Sequence, residues 1–469
     1  MGKMSQKFVT ELPLSSSEII FPSSPFYKTE SCTWAAQKDL KPKIIARPCT
    51  PSSLAALLSF LTHSNLNWAV RGTGVGSSSA SDVLISLSAF DKFEYNAEDQ
   101  TVVIGAGQTW GEVDRKVEEN APGHAVVGAR CTYVGVGGSI LSGGISWLSS
   151  EKGLAADPHN MLDAKVVLTD GRILWASTEP ELLWALRGGG GSFGVLVEVK
   201  LRVHPYPDKI YSGHISYPRS AFPIVAKAVS RFTTECNDRK MAMHIFPLDL
   251  GQGHYTGDTP KPGIGLHVFD AHGEIHGRGT EGFRWALDIE GAIDKTGSMT
   301  IRQCNQIWDG LEAAKGKTAN FQSCLLISHV DEQLILQGWN WIESLIQKDP
   351  SLSLGGTYLL IEFMQKPAFH SVDPTLRAWP GTHGQSILQI GTGSPCNLEE
   401  SRELAYRELR EAPSFICGQD ERCALNYFTH SLEEFNDPRK IYGENFEKLQ
   451  ELKRRYDPYG GLKGPFWMQ

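Results

Sequence analysis

Short glycine-rich loops recur at the ends of strand-like segments, and they constrain this chain more than any other feature. The 469 residues include 47 glycines, about 10% against a usual ~7%, and the runs crowd into four clusters. These are Gly72-Thr73-Gly74-Val75-Gly76, Gly105-Ala106-Gly107, Gly135-Val136-Gly137-Gly138 with Gly143-Gly144, and Gly188-Gly189-Gly190-Gly191. Backbone without Cβ atoms can approach a ligand closely, and its N–H groups form concave anion sites. Glycines that merely make turns are the plain alternative. Four such loops in succession suit a large ligand with a diphosphate and a planar ring system. A dinucleotide fingerprint fits poorly, because Gly72 to Gly76 runs into serines and a strand instead of a helix. No Walker A pattern occurs.

Composition narrows the partners. The 45 Lys and Arg against 53 Asp and Glu leave a formal charge of −8, with no basic footprint for nucleic acid. The nine cysteines form no CxxC pair and read as free thiols, neither a disulfide frame nor a zinc site. The polar, serine-rich start lacks a signal-peptide core, no Asn-X-Ser/Thr sequon occurs, and no apolar run approaches the ~18 residues of a membrane span. The expectation is a soluble, intracellular, cytoplasmic protein with no membrane or nucleic-acid partner.

Along the chain, Thr50 and Pro51 start a helix with Leu54, Leu57, Leu58 and Leu61 on one face. Strands follow at 68–70, 83–87 and 101–104, then a helix over 110–117. Asp170-Gly171 is a hairpin turn, a helix covers 181–186, and 195–203 alternates as a half-buried strand. From about 211 the glycine runs stop, and strands at 241–246, 265–269 and 358–363 interleave with helices at 222–232 and 334–346, as in a mixed sheet covered by helices. A charged helix over 441–456 ends at Asp457-Pro458.

These blocks meet a known family. Arg47-Pro48, Val70-Arg71-Gly72-Thr73-Gly74, Gly105-Ala106-Gly107 with Trp110, Val134-Gly135-Val136-Gly137-Gly138, Gly143-Gly144, Gly153-Leu154-Ala155-Ala156-Asp157, Leu168-Thr169-Asp170-Gly171 and Leu183 to Gly190 are collinear with its pattern. So are Leu425-Asn426-Tyr427, Tyr442-Gly443-Glu444-Asn445 and Tyr456-Asp457-Pro458. The chain resembles the vanillyl-alcohol oxidase and p-cresol methylhydroxylase superfamily, in its berberine-bridge-enzyme-like branch. The resemblance implies an α+β fold: a two-part FAD-binding domain (41–207 and 425–469) with an N-terminal segment (1–40) packed on it and an inserted α+β substrate domain (208–424), its mixed or antiparallel sheet covered by helices.

It also implies a cofactor set. Arg71, Gly72, Thr73, Gly74, Val75, Gly76 and Ser77 would wrap the FAD diphosphate. Val134, Gly135, Gly137, Gly138, Ser139, Gly143 and Gly144 would lie along its length, with Cys131, Asp157, Val195, Asn426 and Asn445 completing the contacts. Departures are specific. Val75 stands where many members attach the flavin through histidine, so no histidyl link can form. Cys131 matches the family's thioether cysteine, and the alternatives are one thioether or a free thiol beside non-covalent FAD, the latter preferred. Ser139 replaces a histidine, and Ala424 an aromatic.

Candidate catalytic groups are Gln389 on the strand 386–390, Glu362 on the strand 358–363, His383 in the preceding loop, and Tyr133. Glu362 is either a buried acid or base or a solvated or ion-paired carboxylate. His383 either reaches substrate or lies on the surface, and Tyr133 and Trp147 either line the ring pocket or fill the core. His272 and His276 lack the His-Glu-X-X-His order on a helix, and the reading assigns no metal. The expected function is an FAD-dependent oxidase or oxidative cyclase acting on a small hydrophobic specialised-metabolite intermediate, with oxygen as electron acceptor. A redox-neutral isomerase or pericyclic-type cyclase with structural FAD, and a non-catalytic binder, stay open.

Overall fold

The structure, a computed structural model, describes residues 11–248, 263–381, 384–418, 423–425, 433 and 435–464. Helix Pro51–Thr62 begins where predicted: the Thr50 hydroxyl accepts the Ser53 amide at 3.0 Å, and proline occupies the first turn. Its Leu54, Leu57, Leu58 and Leu61 bury against Trp68, Val83 and Ile85. Strands Ile44–Ala46, Val83–Ser86 and Trp68–Arg71 pair in parallel, with Ile19–Ile20 antiparallel at the edge. Trp68–Arg71 delivers the chain directly into the first glycine loop.

A second sheet is antiparallel, in the order Phe93–Asn96, Thr101–Gly105, Val195–Arg202, Met161–Val167, Ile173–Trp175. The Asp170-Gly171 turn joins its last two strands, with Gly171 at φ +87°. Val195–Arg202 differs from the half-buried expectation, because it is the central strand. Glu198, read as an outward polar position, is buried and balanced by Lys92 at 3.3 Å and Lys165 at 3.1 Å.

The third sheet has eight strands, in the order Ile293–Met299, Ile210–Tyr217, Gly263–Asp270, Met241–Leu248, Tyr358–Phe363, Ser386–Pro395, Thr318–Ile327, Cys423–Leu425. Every pairing in it is antiparallel, so the sheet is not mixed. Period-two alternation divides its faces. Ile245, Met243, Leu266, Val268, Ile361 and Phe363 pack in one core with helices Phe222–Glu235, Glu332–Lys348 and Glu399–Cys417. The opposite face shares a core with the glycine loops. Together these sheets and helices make an α+β fold.

The charged C-terminal helix is broken, contrary to expectation. Pro438–Tyr442 ends at Gly443, whose φ of +52° favours glycine, a single 3-10 turn spans Gly443–Asn445, and Phe446–Tyr456 follows. Leu449, Leu452 and Tyr456 return to the core of the first half.

Glu18 pins the N-terminal segment at the start of helix Pro51–Thr62. Its carboxylate accepts the amides of Cys49 at 2.9 Å and Ser15 at 3.1 Å and the Ser15 hydroxyl at 2.8 Å. Burial works to raise its pKa, but these bonds and Ser53 outweigh that and hold it at about 2. A lowered carboxyl pKa contributes stability above the unfolded value and loses it as pH falls toward the folded one. Glu18→Gln should therefore lower thermal stability at pH 7 by about 1–3 kcal/mol. The gap from wild type should close between about pH 4.5 and 2 in a melting series.

Candidate active site

The first cradle loop is held by its carbonyls and side chains, which leaves its amides free. Trp34 donates its amide to the Gly74 carbonyl at 3.0 Å, Ala35 donates to Ser77 Oγ at 2.9 Å, and Lys315 Nζ donates to the Thr73 carbonyl at 2.6 Å. Arg71 turns its guanidinium onto the carbonyls of Glu30, Thr29 and Thr73, so it braces the loop. Among the described residues, the amides of Gly72 to Gly76 donate to no protein acceptor. Gly74 has φ +82°, and a Cβ there would lie 2.6 Å from the Arg71 guanidinium.

The second loop packs on the first. Val136 donates its amide to the Gln108 carbonyl at 2.9 Å and Gly137 donates to that of Ala106 at 3.2 Å. A Cβ on Gly135 would meet the Thr73 side chain at 2.9 Å, whereas one on Gly138 would meet nothing within 4 Å. Val75 and Val134 are buried, and Gly143 and Gly144 both have positive φ. Ser139 is committed locally: it accepts from Trp110 Nε1 and donates to the Gly135 carbonyl, both at 2.7 Å.

Two residues of the sequence-derived cofactor set are spent elsewhere. The Asp157 carboxylate has no solvent exposure and binds Arg377 at 2.5 Å, Ser371 Oγ at 2.7 Å and the Leu154 amide at 2.9 Å. Asn445 donates its side-chain amide to the Ala378 carbonyl at 3.0 Å. Both brace the 371–378 segment. Val195 opens the central strand beside Val167. Asn426 and His383 lie outside the described residues.

On the sheet, antiparallel register lines up His214, His267, His244 and Glu362 across four adjacent strands. Glu362 is fully buried, accepts a hydrogen bond from Gln389 Nε2 through Oε1, and pairs through Oε2 with Arg130. Glu362 is thus buried, as the acid-or-base reading has it, and also ion-paired, as the alternative has it. Arg130 adjoins Cys131, whose thiol is hydrogen-bonded to Tyr133. Burial pushes the Cys131 thiol up and the Tyr133 phenol well up. Tyr133 stacks on Trp34 with ring centroids 5.3 Å apart.

His267 is locked. Trp308 Nε1 donates to its Nδ1 at 2.9 Å, so Nε2 carries the proton and faces Ser212 at 3.1 Å. His244 is the opposite case. It stacks on Trp147 at 4.1 Å, yet neither ring nitrogen has a hydrogen-bond partner, and the nearest carboxylate oxygen, on Glu362, is 3.8 Å away. Burial, with Arg130, His267 and His214 adding, pushes its pKa far down, so the ring is neutral. Sequence reasoning missed Arg130 and the three histidines. Each histidine is a single imidazole on its own strand and Arg130 lies in a loop, so their alignment depends on register between strands.

These features fit FAD: glycine loops with unspent amides for a diphosphate, and beside them a buried polar face with unpartnered groups. A model for an FAD binding domain matches residues 42–177, and one for berberine and berberine-like proteins matches 425–460. The FAD-dependent monooxygenase drtC of Aspergillus calidoustus is 30% identical, over 93% of this chain and 84% of its own. O-acetylstemmadenine oxidase of Catharanthus roseus is 35% identical over 37% of this chain and 34% of its own. A variant of berberine bridge enzyme solved with (S)-reticuline superimposes with a TM-score of 0.77 at 15% identity, covering 99% of this chain and 98% of that one. Fold and relatives together define an FAD-linked oxidoreductase. The chain belongs to the berberine-bridge-enzyme-like branch of the vanillyl-alcohol oxidase and p-cresol methylhydroxylase superfamily.

Gly74→Val should leave the fold intact, yet lose most bound FAD. The checks are flavin absorbance per mole of purified protein and the far-ultraviolet circular dichroism spectrum.

Proposed function

We propose that this protein is an FAD-dependent oxidase or oxidative cyclase acting on a small hydrophobic specialised-metabolite intermediate, with the flavin held non-covalently. The observation that carries the reading is the buried carboxylate of Glu362 beside the unpartnered His244, on the sheet face turned to the cradle. The relatives named FAD-dependent monooxygenase drtC and O-acetylstemmadenine oxidase support a small-molecule substrate. Bound FAD supplies the hydride acceptor, with oxygen as the terminal electron acceptor.

The chain's own groups have separable tasks. Glu362 Oε2 takes a proton from a substrate hydroxyl or amine as hydride leaves the adjacent carbon, while Gln389 fixes Oε1 and so the orientation of the carboxylate. Arg130 compensates a carboxylate that no water reaches. His244 is neutral and offers one N–H and one lone pair to a polar substrate group, and Trp147 sets its plane. Exclusion of water by the apolar residues around this row strengthens each contact.

Non-covalent attachment rests on Val75, which has no nucleophilic atom, and on Cys131, whose half-buried thiol is held toward its protonated form by desolvation. Only a thiolate is a competent nucleophile. Acid precipitation should therefore release FAD into the supernatant, and Cys131→Ala should leave flavin content unchanged. Flavin remaining in the wild-type pellet would contradict this.

The reaction is tested by anaerobic mixing with candidate phenolic, alcohol and alkaloid substrates. A true substrate bleaches the flavin, and Glu362→Gln slows bleaching by about 10²- to 10⁴-fold with FAD content unchanged. Product formation from an oxidised, unbleached flavin would replace this reading with the redox-neutral one. His244→Phe removes two unpaired buried nitrogens, so it should raise the melting temperature while raising KM by about tenfold, the loss of one hydrogen bond.

A further inference from the structure

Outside the cradle and the sheet row, three metal-ligating side chains from separate segments converge. Asp238 lies in the connection from helix Phe222–Glu235 to strand Met241–Leu248. His272 lies in the turn after strand Gly263–Asp270, and His276 on the short helix Glu274–Gly277. One ligand atom from each lies within 4.8 Å of the other two, and the two imidazole centroids are 4.4 Å apart. The sequence reading set the histidine pair aside for want of a zinc helix. The fold supplies the third ligand from 34 residues upstream of His272.

A second observation points the same way. Asp270 is fully buried behind the cluster, and its Oδ2 accepts from His276 Nδ1 at 2.6 Å while its Oδ1 accepts the His272 amide at 2.9 Å. With Nδ1 holding the proton, His276 presents its Nε2 lone pair. A carboxylate behind a histidine fixes tautomer and ring orientation in the way metal sites use. Asp238 is oriented as well: Oδ1 accepts the Lys240 amide at 2.9 Å, and Oδ2 faces His272 Nε2 at 2.8 Å.

We propose that Asp238, His272 and His276 form a binding site for a divalent transition metal ion of the zinc class, with Asp270 as the positioning residue for His276. Two imidazoles and one carboxylate suit zinc, and the hard cations magnesium and calcium prefer all-oxygen sets. The ion replaces the hydrogen bond between His272 and Asp238. The proton on His272 Nε2 moves to Nδ1, the lone pair and the carboxylate oxygen turn to the metal, and water fills the remaining position on the half-exposed side. Met241 and Asp270 are directly paired across two strands, so the ion would clamp the ends of the strands that carry His244 and His267.

The test uses the full-length, FAD-loaded protein stripped with a chelator and dialysed against zinc, with bound metal and melting temperature as readouts. One zinc ion per chain should bind, raise the melting temperature with zinc concentration, and survive excess magnesium. His272→Ala, at a half-exposed side chain, should weaken zinc binding at least about tenfold with flavin content unchanged, and Asp270→Asn about 10- to 100-fold. Absence of a stoichiometric ion in the wild type overturns the site. So does equal uptake by the His272→Ala variant, which would leave the cluster as an ion pair of His272 with Asp238.

Discussion

The buried ion pair between Asp157 and Arg377 holds the two halves of this molecule in register. Both side chains are essentially without solvent contact, and their 2.5 Å contact joins the end of the glycine cradle to the segment that follows the Glu362 strand. Arg377 also donates to the carbonyls of Phe369 and Pro380. Next to it, Ala378 donates to the Arg187 carbonyl and Trp379 packs on Gly188, where a Cβ would come within 2.8 Å. Removing one partner of such a pair strands a buried charge, a loss of about 3–5 kcal/mol. The cradle and the sheet face are thus fixed relative to each other by a contact at the cradle's end.

This arrangement explains why polar groups tolerate the floor of a large apolar sheet. Glu362 has Arg130 and Gln389, and His267 has Trp308 and Ser212. Among the described residues of this row, His244 keeps both buried ring nitrogens without partners and His214 keeps its Nε2 so, a cost that a fold retains where a ligand completes the bonding. The same row gives the site a direction. The carboxylate and the neutral imidazole lie beside the cradle, whereas His214, toward the edge strand, is pushed by burial, with Lys295 adding, to a pKa of about 4.

Much of the fold was legible because its signals are local. Thr50 and Pro51 announce a helix, Asp170-Gly171 a hairpin, and the glycine blocks a cradle whose order matches a known family. The site was less legible because its chemistry is assembled by register. Glu362 and Gln389 could be picked out as polar positions on apolar strands, but Arg130 sits in a loop and His244 looks like one polar residue among apolar neighbours. The bonds of Asp157 and Asn445 to the 371–378 segment were hidden for a related reason: a motif shows which residues recur, not which bond each side chain makes. The break at Gly443 was hidden by a charged pattern that runs evenly across it.

The central claim is that the glycine loops and the polar sheet face together form one FAD site. Hydrogen–deuterium exchange with and without FAD tests it most directly. The account predicts FAD-dependent slowing in peptides covering Arg71 to Ser77 and Val134 to Gly144, and also in the strands bearing His244 and Glu362, with the outer helices unchanged. Protection confined to the loops, or absent from Gly72 to Gly76, would contradict it.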